Sequence, residues 1–520
     1  MQDLHTLPAH LLLKHLESGE LTSVQLVEAL NKRRETLDGR LRSFILVRKE
    51  ALSEAKAADE AREQGVSWGP LHGLPVTIKE NLDLAGTDST LGLRSRVGTP
   101  ATADAVLVKA LKDAGAIILG KTNVPQLLLA QETENAVFGV TNNPWKLNHV
   151  PGGSSGGEAA AIAAGLSPLG LGTDIGGSIR VPAHFCGLVG FKPTLDRWSN
   201  RGSRGAIMGQ ELVRSQIGAL ARETRDIMLL WSTLDPCAQA RVDPWVAPLP
   251  AADPEAVDLT GMRIGYFDDD PFLEPTASLK RAVQRTKEVL EKAGATLVPH
   301  KSVPSEDIVY LWLGAISSDG GRTIDAKLAG EAISPQLKAS RQALKIPALG
   351  RKVIAKIMAT RGEHRLSRLL EVLGEKRVDE VWELTARRSD LKRQELDAWN
   401  RNDIDALICP PHVVAALPHR ESGDFTLSVV SEFRWTLLNF PAGVIPVTKV
   451  RANEVGRYPY AKGDRVQRKV AAMEALSVGL PVGVQIVARP YAEDRLLAVM
   501  CAVQDGVRDD EDYPVTPVSV

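Results

Sequence analysis

Two loops rich in glycine and serine, together with one lysine, are the parts of the sequence that could carry hydrolytic chemistry. The first loop reads PGGSSGGE (residues 151–158), and the second reads GTDIGGS and ends on Ser178. Lys79 ends the apolar segment PVTIK. A serine hydroxyl attacks an acyl carbon once a base takes its proton, and a lysine can be that base if burial lowers its pKa. These residue types predict acyl transfer by a serine, with the attacking serine in one of the two loops.

The first loop contains GGSSG (residues 152–156), which fits the G-x-S-x-G pattern of a nucleophile elbow with Ser154 at its centre. An elbow serine follows a hydrophobic strand, but the polar segment NNPWKLNHVP precedes this loop. Phosphate binding is also disfavoured, because a Walker loop has a lysine after its last glycine, whereas Glu158 stands here. The first loop alone therefore does not identify Ser154 as a nucleophile.

The second loop offers a better electrostatic setting for a nucleophile. A short predicted strand runs into Thr173 and Asp174, and two glycines then precede Ser178. Glycines allow backbone N–H groups to converge, as an oxyanion hole requires. Asp174 and Arg180 flank the loop, and we expect them to pair and brace it. The pattern favours Ser178 as the nucleophile, with Lys79 at the end of a buried strand as the base.

The segments around these residues resemble the amidase signature family of Ser-Ser-Lys hydrolases. The matching stretches are GLPVTIKENLDLAG around Lys79 and the long segment PGGSSGGEAAAIAAGLSPLGLGTDIGGSIRVPAHFCGLVGFKPT. Further segments are similar to the branch that contains the mammalian fatty acid amide hydrolases: DSTLGL, TNVPQ, NNPWK, SDGGRT, LNFPAGVIPVT and VGLPVGVQIVA. The resemblance extends over most of the chain, from about residue 10 to residue 508.

The resemblance implies a role for each candidate residue. Ser178 is the expected nucleophile, Ser154 the proton bridge next to a cis peptide bond, and Lys79 the base. The remaining expected site residues are the oxyanion-hole residues Ile175, Gly176, Gly177 and Ser178, the structural supports Ser155, Asp174 and Arg180, and the substrate-contacting residues Leu128 and Gln131. Gln131 replaces an aromatic residue of the fatty acid enzymes, and aromatic residues make up only 5% of the chain. Both features argue against a preference for long acyl chains.

The predicted fold class is α/β, since strands such as MRIGYF, IDALIC and VGVQIVA alternate with helical segments. The resemblance specifies the amidase signature fold, a large twisted mixed β-sheet covered by α-helices. No Pro/Ser-rich linker divides the chain, so we expect one amidase domain over residues 1–520, with a catalytic core at 60–200 and a helical cap at 335–395.

Composition narrows the range of partners. The net charge of −1 and the pI of about 6.8 give no sign of nucleic-acid binding. The four cysteines form no C-x-x-C pair, which suits a reducing cytoplasm and gives no metal site. The N-terminus lacks the features of a signal peptide, and no apolar run is long enough for a membrane span. We expect no cofactor, a small-molecule amide substrate and a cytoplasmic location, with a homodimer left open.

Residues 338–377 differ from the rest of the chain in charge. They hold eleven lysines and arginines against three glutamates, with apolar residues at helical spacing between them. A basic amphipathic helix pair can lie on a membrane surface, and a solvated helical cap is the simpler alternative. Both interpretations remain open at the level of sequence.

The sequence thus predicts an amide hydrolase that acts through a serine acyl-enzyme. Small to medium acyl or aryl amides are the expected substrates, with fatty acid amides, esters and carbamates as further candidates. A glutaminase subunit of a tRNA-dependent amidotransferase is the alternative on the same fold. A non-catalytic amide- or lipid-binding protein is the alternative from another class.

Overall fold

The computed structural model describes residues 3–423 and 425–520 and contains thirteen strands within those ranges. They are β1 (Phe44–Val47), β2 (Pro75–Lys79), β3 (Ile117–Thr122), β4 (Glu134–Asn135), β5 (Gly139–Val140), β6 (Leu169–Asp174), β7 (Val189–Lys192), β8 (Gln216–Ala221), β9 (Arg263–Tyr266), β10 (Thr296–Pro299), β11 (Ala406–Cys409), β12 (Ala442–Lys449) and β13 (Pro481–Ala488). Eleven of them form one sheet in the order β1-β3-β2-β6-β8-β7-β12-β13-β11-β9-β10, and β4 pairs with β5 separately.

The same residue ranges contain eighteen α-helices. They are α1 (Ala9–Ser18), α2 (Ser23–Leu41), α3 (Ala51–Glu63), α4 (Val106–Asp113), α5 (Gly156–Ala163), α6 (Arg180–Cys186), α7 (Thr224–Thr233), α8 (Pro236–Gln239), α9 (Ala277–Lys292), α10 (Ser305–Ile316), α11 (Arg322–Lys327), α12 (Pro335–Lys345), α13 (Ala348–Thr360), α14 (His364–Val372), α15 (Val378–Asn402), α16 (Val430–Leu437), α17 (Arg465–Glu474) and α18 (Glu493–Val507). No helix in the described ranges is both long enough and apolar enough to cross a bilayer.

The large sheet is mixed. β2 is parallel to both β3 and β6, and β9 is parallel to β10 and β11. Between these two parallel groups, each strand is antiparallel to the next in the run β6-β8-β7-β12-β13-β11. Helices α6, α9 and α18 pack against β12 and β13, and α5 packs against β2, β6 and β8. The predicted α/β fold with a large mixed sheet is confirmed.

The central strands are buried along their whole length, which explains their nearly continuous apolar sequences. Every residue of β2, β6, β12 and β13 is buried except Lys449 at the end of β12. Strands covered on both faces need no polar alternation. The same burial applies to the small-residue helix α5, whose sequence GGEAAAIA is buried at every position.

Parallel pairing of β2 with β6 sets the position of the candidate site. Thr77 pairs with Gly170 and Ile78 pairs with Leu171, so the two strands end side by side. Lys79 is the last residue of β2, and Thr173 and Asp174 are the last residues of β6. The fold therefore brings the lysine and the second Gly-Ser loop to one edge of the sheet, although they are far apart in sequence.

Candidate active site

Lys79 is completely buried at the end of β2. Its Nζ lies 2.7 Å from Ser154 Oγ, 2.8 Å from Thr173 Oγ1 and 3.2 Å from the Thr173 carbonyl oxygen. Burial lowers the pKa of Lys79 to about 7, against the opposing effects of Asp174 and Glu158. A neutral amine that donates to both Thr173 oxygens keeps its lone pair for the Ser154 hydroxyl. The geometry therefore suits a lysine that takes a proton from Ser154.

The first Gly-Ser loop approaches the second one closely. The peptide bond between Gly153 and Ser154 is cis, as the sequence resemblance implied. Ser155 N–H donates to the Ser178 carbonyl at 3.0 Å, and Ser155 Oγ lies 3.4 Å from the Thr173 carbonyl oxygen. A Cβ at Gly153 would lie only 2.4 Å from the carbonyl oxygen of Ala130, so a larger residue cannot stand there without displacing backbone. Close packing of the chain thus accounts for part of the glycine content of this loop.

The second loop is folded around the carboxylate of Asp174. Its oxygens accept hydrogen bonds from the N–H groups of Gly177 at 2.7 Å and Ile179 at 3.1 Å. The Arg180 guanidinium binds the same carboxylate through Nε and Nη2, both at 3.0 Å. Burial alone would raise the pKa of Asp174, but Arg180 outweighs it and holds that pKa at about 2. The pairing expected from the sequence is present, and it fixes the turn that carries Ser178.

Glu432 completes this buried charge cluster, and no local sequence pattern points to it. Its Oε2 lies 2.6 Å from Arg180 Nη1, and all three acidic and basic side chains of the cluster are inaccessible to solvent. Burial raises the pKa of Glu432 to about 8, although Arg180 opposes this shift. Glu432 lies on α16, and its Cβ would come within 2.8 Å of a Cβ at Gly177. Helix α16 therefore packs directly on the loop.

The predicted oxyanion-hole donors are not equivalent in the structure. The N–H of Gly177 is already bound to Asp174. The N–H groups of Ile175, Gly176 and Ser178 have no acceptor among the residues that the structure describes. These three donors are available to a ligand oxygen beside the Ser178 hydroxyl, which is the arrangement that stabilises a developing oxyanion.

An aromatic stack supports the backbone of this loop. The rings of Trp312 and Phe433 lie parallel, with centroids 3.9 Å apart. The Trp312 indole N–H donates to the Ile175 carbonyl at 3.3 Å. A Cβ at Gly176 would lie 2.8 Å from the Phe433 ring and 2.9 Å from the Trp312 ring, so only glycine fits beneath the stack.

Glu158 stands out in the sequence only as an obstacle to phosphate binding, yet it lies close to the lysine. Its carboxylate accepts hydrogen bonds from the hydroxyls of Thr77 and Thr122 and is completely buried. Burial raises the pKa of Glu158 to about 7. Its partners lie on β2 and β3, so only the sheet pairing reveals them.

Two cavities meet at Ser178. The larger has a volume of about 630 Å³ and is lined by Ser178, by Leu128 and Gln131, and by residues of α10 to α14. The second, of about 480 Å³, is lined by both Ser154 and Ser178 and has a more polar wall. Ser154 and Ser178 both line this cavity, but their hydroxyls form no direct hydrogen bond within the described residues. The two predicted substrate-contacting residues, Leu128 and Gln131, line the larger cavity.

Gln131 is held in place by other side chains at the edge of the larger cavity. Its Nε2 donates to the Phe425 carbonyl at 3.2 Å, and its Oε1 lies 3.1 Å from His412 Nε2. Burial lowers the pKa of His412 to about 3, so this histidine is neutral, and Ser428 Oγ lies 3.0 Å from the same ring nitrogen. The amide of Gln131 is thus satisfied by protein groups as well as placed beside the cavity.

Comparisons with known proteins point to one family. The family model described as Amidase matches residues 25–497. Fatty-acid amide hydrolase 1 of Sus scrofa is 38% identical over 449 residues, which cover 85% of this chain and 76% of the relative. A Glutamyl-tRNA(Gln) amidotransferase subunit of Chloroflexus aggregans is 33% identical over 525 residues, covering 97% of each chain. The solved structure of a fatty acid amide hydrolase superposes with a TM-score of 0.85 at 25% identity, covering 98% of this chain and 86% of that one.

The large mixed sheet and these matches place the protein among the hydrolases. The chain belongs to the amidase family and is an amide-hydrolysing enzyme. The alternative of a non-catalytic binding protein is thereby set aside.

Proposed function

We propose that the protein hydrolyses amides of aliphatic carboxylic acids, with Ser178 as the nucleophile, Ser154 as the proton relay and Lys79 as the base. The observation that supports this assignment best is the 2.7 Å contact between the buried Lys79 amine and Ser154 Oγ, in the cavity that Ser178 also lines. A buried amine with a pKa near 7 is poised to accept a proton at neutral pH.

The reaction proceeds through an acyl-enzyme. Neutral Lys79 takes a proton from Ser154, which takes one from Ser178, and Ser178 Oγ forms a bond with the carbonyl carbon. The N–H groups of Ile175, Gly176 and Ser178 stabilise the oxyanion. As the C–N bond breaks, the proton held by Lys79 passes through Ser154 to the departing nitrogen. A water molecule then cleaves the Ser178 ester, which releases the carboxylic acid and restores the serine.

The larger cavity favours an aliphatic acyl chain. Its volume of about 630 Å³ lies within the usual range for small-molecule sites. Aliphatic side chains form a large part of its wall, among them Leu128, Leu129, Leu313, Ile316, Ile324, Leu328, Leu337, Leu344, Leu366, Leu369, Leu370 and Leu373. The porcine relative is a fatty-acid amide hydrolase by name, which points to the same substrates. We propose medium to long acyl chains, which revises the expectation drawn from Gln131 and the low aromatic content.

An active-site probe tests the nucleophile. A fluorophosphonate should label the wild-type protein on Ser178, and Ser178→Ala should abolish both labelling and amide hydrolysis. Ser154→Ala should slow labelling while leaving the adduct on Ser178. Mass spectrometry of the labelled peptide decides the assignment, and an adduct on Ser154 in the wild-type protein would contradict it.

The alternative on this fold is a glutaminase that serves a tRNA-dependent amidotransferase, the kind of complex for which the Chloroflexus aggregans relative is named. The small polar side chain of glutamine would leave most of the aliphatic cavity wall unfilled. A comparison of glutamine with fatty acyl amides, using the chain alone, separates the two functions. Hydrolysis of glutamine in preference to fatty amides would favour the alternative.

We also propose that the cap helices, which are the helices within residues 335–395, contact lipid surfaces. Leu349, Val353 and Ile357 are 76%, 54% and 46% exposed, and their four-residue spacing places them on one face of α13. Lys352 and Lys356 lie on the same helix, within the basic segment identified in the sequence. Exposed apolar side chains among cations suit an anionic bilayer surface.

A further inference from the structure

A third cavity, which the hydrolytic mechanism does not use, opens beside the active site. Its volume is about 340 Å³. Its wall consists of Asp83, Arg96, Asn200, Arg201, Gly202, Ser203, Arg204, Gly205, Met208 and Lys327. Four of these residues are basic and one is acidic, so we call it the basic chamber.

Most of the positive charge in the basic chamber lacks an acidic partner. Arg204 pairs with Asp83 at 2.7 Å. Arg96, Arg201 and Lys327 bind only backbone carbonyl oxygens within the described residues, at Ser89, Val242 and Gly205 respectively. Burial and the charge of Arg96 both lower the pKa of Lys327, which indicates that these two cations lie close enough to repel each other. An anion bound between them would relieve that repulsion.

The basic chamber adjoins the second cavity at Ser178 and shares part of its wall. The two share the residues Asn200, Arg201, Ser203, Arg204, Gly205 and Met208. The acids of the second cavity are already engaged, since Asp196 pairs with Arg214 at 2.7 Å and Asp243 accepts a hydrogen bond from Ser199 at 2.5 Å. Its remaining carboxylate, Glu211, lies 3.3 Å from Arg214. Counted over both cavities, five basic residues face four acidic ones, and the surplus of positive charge lies in the basic chamber.

The two sides of Ser178 differ in their walls: the larger cavity has many leucine and isoleucine side chains, with cations on α12 and α17, whereas the second cavity adjoins the basic chamber. The aliphatic cavity takes the acyl chain in the proposed function, on which this inference rests, so the second cavity receives the amine portion of the amide. We propose that the basic chamber binds a carboxylate on that amine, which makes N-acyl amino acids a preferred substrate class. Water adds across the C–N bond, so the products are the fatty acid from the acyl group and the free amino acid, whose nitrogen takes the proton.

Substrates matched in size test this inference. The kcat/KM of the full chain is measured for N-dodecanoyl glycine and its longer homologues built on 4-aminobutyrate and 6-aminohexanoate. N-Dodecanoyl ethanolamine is the neutral reference. For the amino acid whose length reaches the chamber, kcat/KM should exceed that of the reference by about tenfold, and high salt should reduce this ratio. The double variant Arg96→Gln/Lys327→Gln should remove most of the preference.

The matched control is Lys301→Gln/Arg401→Gln, which removes two exposed cations that line neither cavity. This control should keep the wild-type ratio. Hydrolysis of the ethanolamide without any preference for the anionic substrates would overturn the inference and leave the proposed function intact. An equal loss of preference in the control would also overturn it, because the effect would then come from overall charge. If the protein hydrolyses neither the ethanolamide nor the anionic substrates, both proposals are overturned.

Discussion

A lysine amine can act as a base only in its neutral form, and water normally keeps it protonated. Burial of Lys79 penalises the charged form, which lowers its pKa to about 7. We therefore expect kcat/KM for an amide to rise with pH through an ionisation near 7 and to level off above it, since protonation at lower pH removes the base. A rate that falls as the pH rises through 7 would contradict this role. The pH profile of kcat/KM with a fatty amide measures the midpoint.

Glu158 should shift that midpoint. Its own pKa is raised to about 7, so Glu158 is charged over the upper part of the Lys79 titration, where that charge favours the protonated amine. Neutralising Glu158 should therefore lower the lysine pKa. Glu158→Gln keeps the size of the side chain beside Thr77 and Thr122. We expect the pH profile to move to lower pH in this variant. Glu60→Gln, on the exposed side of α3, is the control that should leave the profile unchanged.

Removal of the lysine should affect substrates according to their leaving groups. Lys79→Ala should lower kcat/KM for an amide by about a thousandfold, the scale of general acid–base catalysis. An activated p-nitrophenyl ester should lose much less, because its leaving group departs without a proton. Parallel kinetics with the two substrates give the comparison. Equal losses would show that Lys79 does not protonate the departing nitrogen.

The proposed catalytic residues were within reach of sequence reasoning, whereas part of their support was not. Lys79, Ser154 and Ser178 stand in local patterns whose chemistry can be recognised. Glu432 acts through Arg180 across nearly half of the chain, and no local pattern marks a carboxylate inside a helix as buried. Gly177 shows a different limit of sequence reasoning. The resemblance assigns its N–H to the oxyanion hole, whereas in the structure this N–H donates to Asp174.

Between elements, the oxyanion loop depends on packing from α10 and α16. Gly176 lies under the stacked rings of Trp312 and Phe433, and a methyl group there would come within 2.8 Å of one ring. We expect Gly176→Ala to lower kcat by about a hundredfold, the cost of losing one oxyanion donor, because the loop must shift. Steady-state kinetics and the melting temperature should be measured together.

Gly39→Ala is the matched control for that substitution, because a Cβ at this helical position meets no other atom within 4 Å. It should leave kcat unchanged. Phe433→Leu combined with Gly176→Ala should restore part of the lost activity, since it makes room for the methyl group. Wild-type kcat in Gly176→Ala, or no gain in the double variant, would show that the stack does not position the loop.

Elements were predictable to the extent that their own residues determine them. The apolar segments at β2, β9, β11 and β13 were predicted as strands, and β2 ends on Lys79 as predicted. Strands β7 (VGFK) and β8 (QIGALA) were not identified. They nevertheless join β6 to β12 in the middle of the sheet. Pairing across long sequence separations decides this order, and periodicity carries no information on it.

At the scale of the whole molecule, the helices that wall the aliphatic cavity also expose apolar side chains. Residues of α12, α13 and α14 line the cavity, among them Lys345, Met358 and Leu366. The outer face of α13 presents Leu349, Val353 and Ile357 to solvent. The proposed long-chain substrates concentrate in bilayers, so a cavity walled by the helices of the proposed lipid-binding surface would shorten their route to Ser178.

This arrangement predicts how the protein binds vesicles. The wild-type chain should sediment with vesicles that contain anionic lipid, and high salt should weaken the binding because cations contribute to it. The triple variant Leu349→Ser/Val353→Ser/Ile357→Ser should bind vesicles at least about tenfold more weakly than the wild-type chain, since the apolar area that enters the interface is lost. Hydrolysis of a water-soluble short-chain amide should persist in this variant.

A control variant with the same chemical change elsewhere makes this prediction specific. Val66, Leu249 and Val515 are also exposed, at 51%, 44% and 67%, but lie outside the cap helices. Their triple substitution by serine should leave vesicle binding at the wild-type level. If both triple variants lose binding equally, general surface hydrophobicity is the cause. If the wild-type chain stays in solution with anionic vesicles at low salt, the basic apolar face of α13 is a solvated cap, because an exposed stripe that bound lipid would be driven to the interface under those conditions.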